Sequence, residues 1–287
     1  PGVADGGGGA GGAQAGAQNG GAGGASGGGA GSGSAGGGPI GGPSNGTDKI
    51  TIWLSGDSTM ANGTSPCPVG WGKQFQARFN ANAKVVNSAV GGTTIRSWLY
   101  DVTSALGSDG ECTLSSPTPQ AHWTDMANGM KKGDYLLIQF GINDSTGPSC
   151  PKHVSVDTFK KLLGIMAQAA KDAGAQPVFL TAVSSISCSG SMAKGTRAGF
   201  ATATKDAATQ YGVPVIDLEQ LSVALYTSLD FCPSTDSAST FSANTPIGNF
   251  FCDDHTHFEA AGSIQIANLV AKALRDQGFG LASYLVP

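Results

Sequence analysis

Three residues near the two ends of this chain have the types and settings that acyl-transfer chemistry uses. Ser58 stands in Gly56-Asp57-Ser58-Thr59, directly after the apolar run Ile50-Thr51-Ile52-Trp53-Leu54, and Asp254 and His257 stand together in Asp254-His255-Thr256-His257. A serine hydroxyl attacks a carbonyl effectively only when a histidine takes its proton. That histidine in turn needs a carboxylate to fix its tautomer and stabilise its charged form. The carboxylate lies three residues before the histidine, so one loop or first helical turn carries both, and only the serine must be delivered by the fold. Two further segments offer donors for an oxyanion. Val90-Gly91-Gly92-Thr93 presents the Gly92 amide with no side chain in the way, and Gly141-Ile142-Asn143-Asp144 presents the side-chain amide of Asn143.

Each segment also has a plainer reading: a strand-end cap at Ser58, a turn at Gly91-Gly92, a turn cap at Asn143. His255 reads as a surface or supporting residue, Asp57, Asp144 and Asp253 as structural hydrogen-bonders, and His122 and His153 as ordinary loop histidines. What favours chemistry is where the segments fall. Short apolar runs at 50–54, 84–87, 134–140, 177–182 and 214–217 alternate with segments of helical period at 72–79, 95–106, 156–173, 193–211, 218–226 and 259–277. That is the pattern of a βαβ fold with a parallel sheet covered on both faces. The last helix is the clearest, with Ile264, Ala267, Leu269, Val270, Ala273 and Leu274 at three- and four-residue steps. Ligands of such sheets bind at the carboxyl ends of the strands. Ser58, Gly92 and Asn143 follow the first three strands and the Asp254/His257 pair follows the fifth, so four separate segments converge on one edge.

Residues 48–287 therefore form one catalytic domain. Residues 1–47 hold 23 of the 45 glycines with Ala, Ser, Gln and Asn, and cannot bury a core; they read as a flexible linker or tail. The net charge of −4 and 16 scattered Lys and Arg give no basic run, which sets nucleic acid aside as a partner. No stretch approaches the roughly 20 apolar residues of a spanning helix, and no charged-then-apolar leader opens the chain. Its start at Pro1 without Met reads as a processed mature protein or an excised segment.

Taken together, Gly56-Asp57-Ser58-Thr59-Met60, Gly70-Trp71-Gly72, Phe140-Gly141-Ile142-Asn143-Asp144 and Asp254-His255-Thr256-His257 with Ala261-Gly262 resemble the blocks of the SGNH (GDSL-type) hydrolases. Within them they look most like the rhamnogalacturonan acetylesterases of carbohydrate esterase family 12. The likeness runs over about residues 50–275. It implies an α/β fold, a three-layer α/β/α sandwich with a flavodoxin-like, parallel five-stranded sheet. It further implies a secreted serine esterase that removes acetyl groups from pectic polysaccharide without a metal or other cofactor. Ser58 would be the nucleophile, Asp254 and His257 the rest of the triad, and the Ser58 and Gly92 amides with Asn143 the oxyanion hole. The loop at 91–94, the cysteine-bearing insertions and the stretch 184–195 differ from the fungal pectin-acting members, so the sugar recognised depends on loops particular to this chain.

Six cysteines, Cys67, Cys112, Cys150, Cys188, Cys232 and Cys252, contain no Cys-x-x-Cys pair and have no histidine at metal-ligand spacing. They read as three disulfides formed in an oxidising compartment. All follow strands, and the flavodoxin-like strand order 2-1-3-4-5 predicts bridges 67–112, 150–188 and 232–252. Of Trp71, Trp98, Tyr100, Trp123 and Phe251, at most one or two are expected to stack on sugar, the others serving as core. The reading that follows is a secreted, monomeric serine esterase acting through an acyl-enzyme on an acetylated plant cell-wall polysaccharide or oligosaccharide. A lipase or thioesterase would use the same groups but needs an apolar acyl channel, and the loops after the strands are rich in Ser, Thr, Gly, Asn and Pro. A non-catalytic carbohydrate-binding protein is disfavoured by the intact set of five residues.

Overall fold

A strand buried on both faces must alternate its apolar side chains between two cores, and the segment Tyr-Leu-Leu-Ile-Gln does so. The computed structural model describes residues 44–63, 67–234, 241–242 and 244–287; the glycine-rich segment assigned to 1–47 lies, up to residue 43, outside the described residues. In chain order the elements are β1 (Ile50–Gly56), α1 (Trp71–Phe75), β2 (Ala83–Asn87), α2 (Ile95–Leu99), β3 (Tyr100–Leu106), β4 (Cys112–Pro119), α3 (Ala121–Gly129), β5 (Tyr135–Gln139) and α4 (Val156–Asp172). They continue with β6 (Gln176–Leu180), β7 (Cys188–Ser189), β8 (Met192–Ala193), α5 (Ala198–Tyr211), β9 (Val215–Ile216), α6 (Leu218–Ser228) and α7 (Ala260–Asp276).

Five strands form one parallel sheet in the order β2-β1-β5-β6-β9, with Ile52 of β1 opposite Val85 of β2 and Tyr135 of β5. Leu137 and Leu180 face a core built with Trp71, Phe75, Tyr226 and Val270, whereas Leu136, Ile138 and Phe179 face a second built with Trp98, Phe159, Met166 and Ala207. Helices α1, α6 and α7 thus cover one face, and α2 to α5 cover the other. The strand order reverses between β1 and β5, and the crevice beyond their carboxyl ends is where such a sheet presents a site.

All five expected sheet strands are present. The helix expected over 95–106 is not: it stops at Leu99, and Tyr100–Leu106 becomes β3, paired antiparallel with β4. Val102 and Thr103 are β-branched and favour extended backbone, and the partner strand supplies what the local sequence lacks. The helix expected over 193–211 begins only at Ala198, because Met192 and Ala193 pair with the preceding strand in a small hairpin. Helix α3, with only Trp123 and Met126 buried, carried too short a stripe to be read. On α7 the buried stripe is Ile266, Ala267, Val270, Ala273 and Leu274; Ile264 points outward and is 39% exposed.

The disulfides are three, but every expected pairing is overturned: the bridges are Cys67–Cys252, Cys112–Cys150 and Cys188–Cys232. Strand adjacency was the wrong guide because loops do not stay above their own strands. The chain segment after α6 crosses back towards β1, where Val69 N donates to Phe258 O at 2.9 Å, and this sets Cys252 beside Cys67. The β3–β4 hairpin leans on the loop between β5 and α4, so Cys112 meets Cys150; Cys188 at the β7–β8 hairpin then faces Cys232.

Candidate active site

The turn after β1 is built to expose one side chain and fix its neighbours. A side chain at Gly56 would meet Gln139 O at 2.8 Å and Met60 Sδ at 2.9 Å, so the strand end accepts only glycine without displacement. Asp57 is fully buried, and its Oδ1 accepts from Thr59 N at 2.9 Å and from Thr59 Oγ1 at 2.7 Å. Thr59 Oγ1 accepts in turn from Gln139 Nε2 at 2.7 Å, and Gln139 Oε1 accepts from Trp71 Nε1 at 2.8 Å. Between two anchored residues, Ser58 is left pointing out of the turn.

Its hydroxyl lies 2.7 Å from Nε2 of His257, a residue 199 positions away. His257 Nδ1 is hydrogen-bonded to Asp254 Oδ2, and Asp254 Oδ1 accepts the amides of Thr256 at 3.0 Å and His257 at 2.9 Å. With its Nδ1 proton donated to Asp254, the imidazole turns the Nε2 lone pair to the Ser58 hydroxyl. Partial burial opposes charge on Asp254, but the hydrogen bonds from His257 and Thr256 outweigh it and hold the carboxyl below its usual range. The supporting loop is closed on itself by Cys252 N donating to His257 O at 2.8 Å, and propped from the β6 side by Ile186 N on His255 O at 2.8 Å and a 2.9 Å bond between the Ser185 and Thr256 hydroxyls. His255 has a left-handed φ of 64° and lays its ring against Phe241, 4.5 Å between centroids; it stands outside the chain of bonds from Asp254 to Ser58.

Gly91 lies against the serine, its Cβ position 3.7 Å from Ser58 Cβ, and Gly92 has a φ of 79° with open space where a side chain would be. Asn143 Nδ2 donates to Thr93 O at 3.1 Å, drawing that residue to the same loop. Among the described residues the amides of Ser58 and Gly92 donate no hydrogen bond, which leaves them free to meet a developing negative charge. The geometry brings Ser58, Asp254, His257, Gly92 and Asn143 to one edge.

Trp71, Trp98, Trp123 and Phe251 are all buried, so these four pack the core, and Tyr100 is half-buried on β3. Gln139 is the residue that the motif reading passed over; a lone amide ending the apolar strand Tyr-Leu-Leu-Ile-Gln was its signal. The metal-ligand types Cys67, Cys252 and Glu259 cluster within 4.8 Å, but the two sulfurs are bonded to each other and leave a single carboxylate.

Two buried acids lie under the site. Burial pushes Asp57 up to about 6 and Asp144 up to about 7, in both cases against hydrogen bonds that favour the charged form. The folded protein thus keeps protons that the unfolded chain surrenders near the ordinary aspartate value of 3.8. Stability contributed by these groups is greatest below that value and is lost as pH rises towards 7. Asp254, Glu111 and Asp217 are shifted downward and act with the opposite sign, their contribution disappearing as pH falls through the carboxylate range. The melting temperature is therefore expected to peak at about pH 4 to 5 and to decline towards about pH 7, levelling beyond it. Calorimetry across that range checks this, and a flat or rising profile contradicts it.

Residues 54–263 match the GDSL-like lipase/acylhydrolase family. The chain is similar to rhamnogalacturonan acetylesterase RhgT of Bacillus subtilis strain 168, 31% identical over 248 residues that cover 83% of this chain and 94% of that protein. It is similar also to the rhamnogalacturonan acetylesterase of Emericella nidulans, 24% identical over 255 residues, covering 82% of this chain and 89% of the other. Among solved structures, YxiM of Bacillus subtilis has a TM-score of 0.61 at 25% identity; the match covers 80% of this chain and 57% of that one. The acetylxylan esterase Axe2 of Geobacillus stearothermophilus has a TM-score of 0.52 at 16% identity, covering 79% and 94%, a likeness of fold.

Proposed function

The chain belongs to the GDSL-like lipase/acylhydrolase family, and from that premise we propose that it is a serine esterase that removes acetyl groups from an acetylated plant cell-wall polysaccharide, rhamnogalacturonan or a related glycan. The observation that carries the reading is the unbroken line of hydrogen bonds from Asp254 through His257 to Ser58. Ser58 Oγ attacks the acetyl carbonyl carbon as His257 Nε2 takes the hydroxyl proton. Asp254 stabilises the imidazolium that results. The carbonyl oxygen becomes an oxyanion, met by the amides of Ser58 and Gly92 and the Asn143 NH2. Collapse of the tetrahedral adduct breaks the C–O bond to the sugar, whose oxygen takes the proton back from His257, leaving acetyl-Ser58. Water, deprotonated by His257, repeats the attack and releases acetate.

An acetylated sugar as substrate is supported by the names of the relatives at 31% and 24% identity and by the polar surroundings of the site. A polar cavity of about 240 Å³ is lined by Ser145, Thr146, Thr196 and Arg197 with Asp144, the neighbour of Asn143 in sequence, and it includes none of the five site residues. The larger cavity, about 630 Å³ with Leu229, Phe231, Phe241 and Ile247 in its wall, includes none of the five site residues and so makes a poor acyl channel for a lipase. Residues 48–287 are the catalytic domain in this reading; the three disulfides favour secretion, and the enzyme acts as a monomer.

Acetate release from acetylated rhamnogalacturonan and acetylated xylan, beside the rates on p-nitrophenyl acetate, butyrate and octanoate, tests the reading. Acetate from a polysaccharide with rates collapsing beyond short acyl chains is the expected result. Preference for octanoate with no release from either polysaccharide would keep the esterase and overturn the substrate.

A further inference from the structure

An oxyanion hole assembled from separate loops works only if those loops are held at a fixed spacing before substrate arrives, since the stabilisation depends on donors that need no reorganisation. Ser58 is fixed by its own turn. The loop that carries Gly92 and the loop that carries Asn143 come from β2 and β5, which do not pair with each other in the sheet. Something must span them.

Asp144 does so with both carboxylate oxygens. Its Oδ1 accepts from Ile95 N at 3.0 Å, the residue at which the Gly91–Thr94 loop enters α2. Its Oδ2 accepts from Gly141 N at 2.9 Å, the residue that opens the loop to Asn143. Each oxygen therefore binds a different loop. Gly141 is shaped for this: its φ is 116°, a region that side chains rarely adopt, and a Cβ there would stand 3.1 Å from Phe200 Cβ. The bond from Asn143 Nδ2 to Thr93 O ties the same two loops at a second point. The acid is only 5% exposed and burial disfavours charge on it, yet two backbone amides point at its two oxygens. An apolar residue would fill the space at lower desolvation cost; two amide donors facing two oxygens give the carboxyl its use.

We propose that Asp144 is a positioning residue of the oxyanion hole, holding the Gly92 amide and the Asn143 side chain at one spacing through its bridge between Ile95 and Gly141. The role rests on the esterase reading of the site. Asparagine has nearly the volume of aspartate but offers one acceptor oxygen, and its NH2 would confront the other amide donor, so one half of the bridge is lost.

The test is D144N on p-nitrophenyl acetate, with inhibition by methylboronic acid, whose tetrahedral serine adduct places an oxygen where the oxyanion forms. The expected result is a fall in kcat of about 10²-fold with KM within about twofold, and a Ki for the boronic acid weakened by a similar factor. Ki is independent of how much of the sample is folded, so it separates a displaced hole from a loss of folded enzyme. D144S is the second variant and is expected to weaken Ki likewise. A kcat that falls while Ki holds, or a Ki and kcat that both hold, overturns the role. Ser58→Ala run alongside separates the two readings. Activity that survives it overturns the site and this role together; activity abolished by it and untouched by D144N overturns the role alone.

Discussion

Replacing Ser58 with alanine is expected to lower acetate release by about 10⁴-fold or more, with the melting temperature essentially unchanged. The side chain is held by one hydrogen bond, the 2.7 Å contact to His257, so its removal takes away the nucleophile and little else. The turn around it is maintained by Asp57, Thr59 and Gln139, none of which touches the serine hydroxyl. What remains after the substitution is binding and the oxyanion donors, which in a serine hydrolase leave a residual rate far below the acyl-enzyme route. Acetate measured enzymatically from p-nitrophenyl acetate and from the polysaccharide gives the number. A variant that kept more than about one part in a hundred of the wild-type rate would remove Ser58 from the mechanism.

Asp254→Asn is the second large effect, about 10³-fold in kcat. The aspartate has two jobs on two oxygens. Oδ1 accepts the amides of Thr256 and His257, and Oδ2 accepts the proton on His257 Nδ1. Asparagine can keep the first job only by turning its oxygen to the amides, which aims its NH2 at Nδ1. The imidazole then accepts there and carries its proton on Nε2, towards Ser58, where a lone pair is required. A fully buried aspartate in this position is worth about 10⁴-fold. Here the side chain is 50% exposed, so water competes for the imidazole and softens the loss. Asp254→Ala, which forces no tautomer, is expected to be no worse than Asn. A loss below about tenfold in the asparagine variant, with the fold intact by circular dichroism, would show that Asp254 does not orient the base.

The parts of this protein that could be read in its sequence are those specified by near neighbours. Strand β5 was legible because Leu136, Leu137 and Ile138 are apolar on both sides, and the Asp254–His257 pair because one loop carries both. The disulfides were not, since the partner of Cys67 depends on where the chain goes after α6, a long-range outcome that no local pattern records. The β3–β4 hairpin escaped for the same reason: Val102 pairs with Leu114 across a turn, and 95–106 taken alone has enough apolar spacing to pass for a helix. Asp144 was legible as a hydrogen-bonder, but its partners at Ile95 and Gly141 appear only when two loops from different strands meet.

The Cys67–Cys252 bridge has a consequence for heat inactivation. Ser58 and His257 are 199 positions apart along the backbone, yet they sit nine and five residues from the two ends of that single bond. In a denatured chain with its bridges intact, the path between them is about a fifteen-residue tether, and closing it costs about 2 kcal/mol less than closing the open chain. Two residues 199 positions apart in the linear sequence are near neighbours in the covalent graph. Oxidised protein that has lost its fold still holds Ser58 within reach of His257, and reduction of the bridge lets them drift apart.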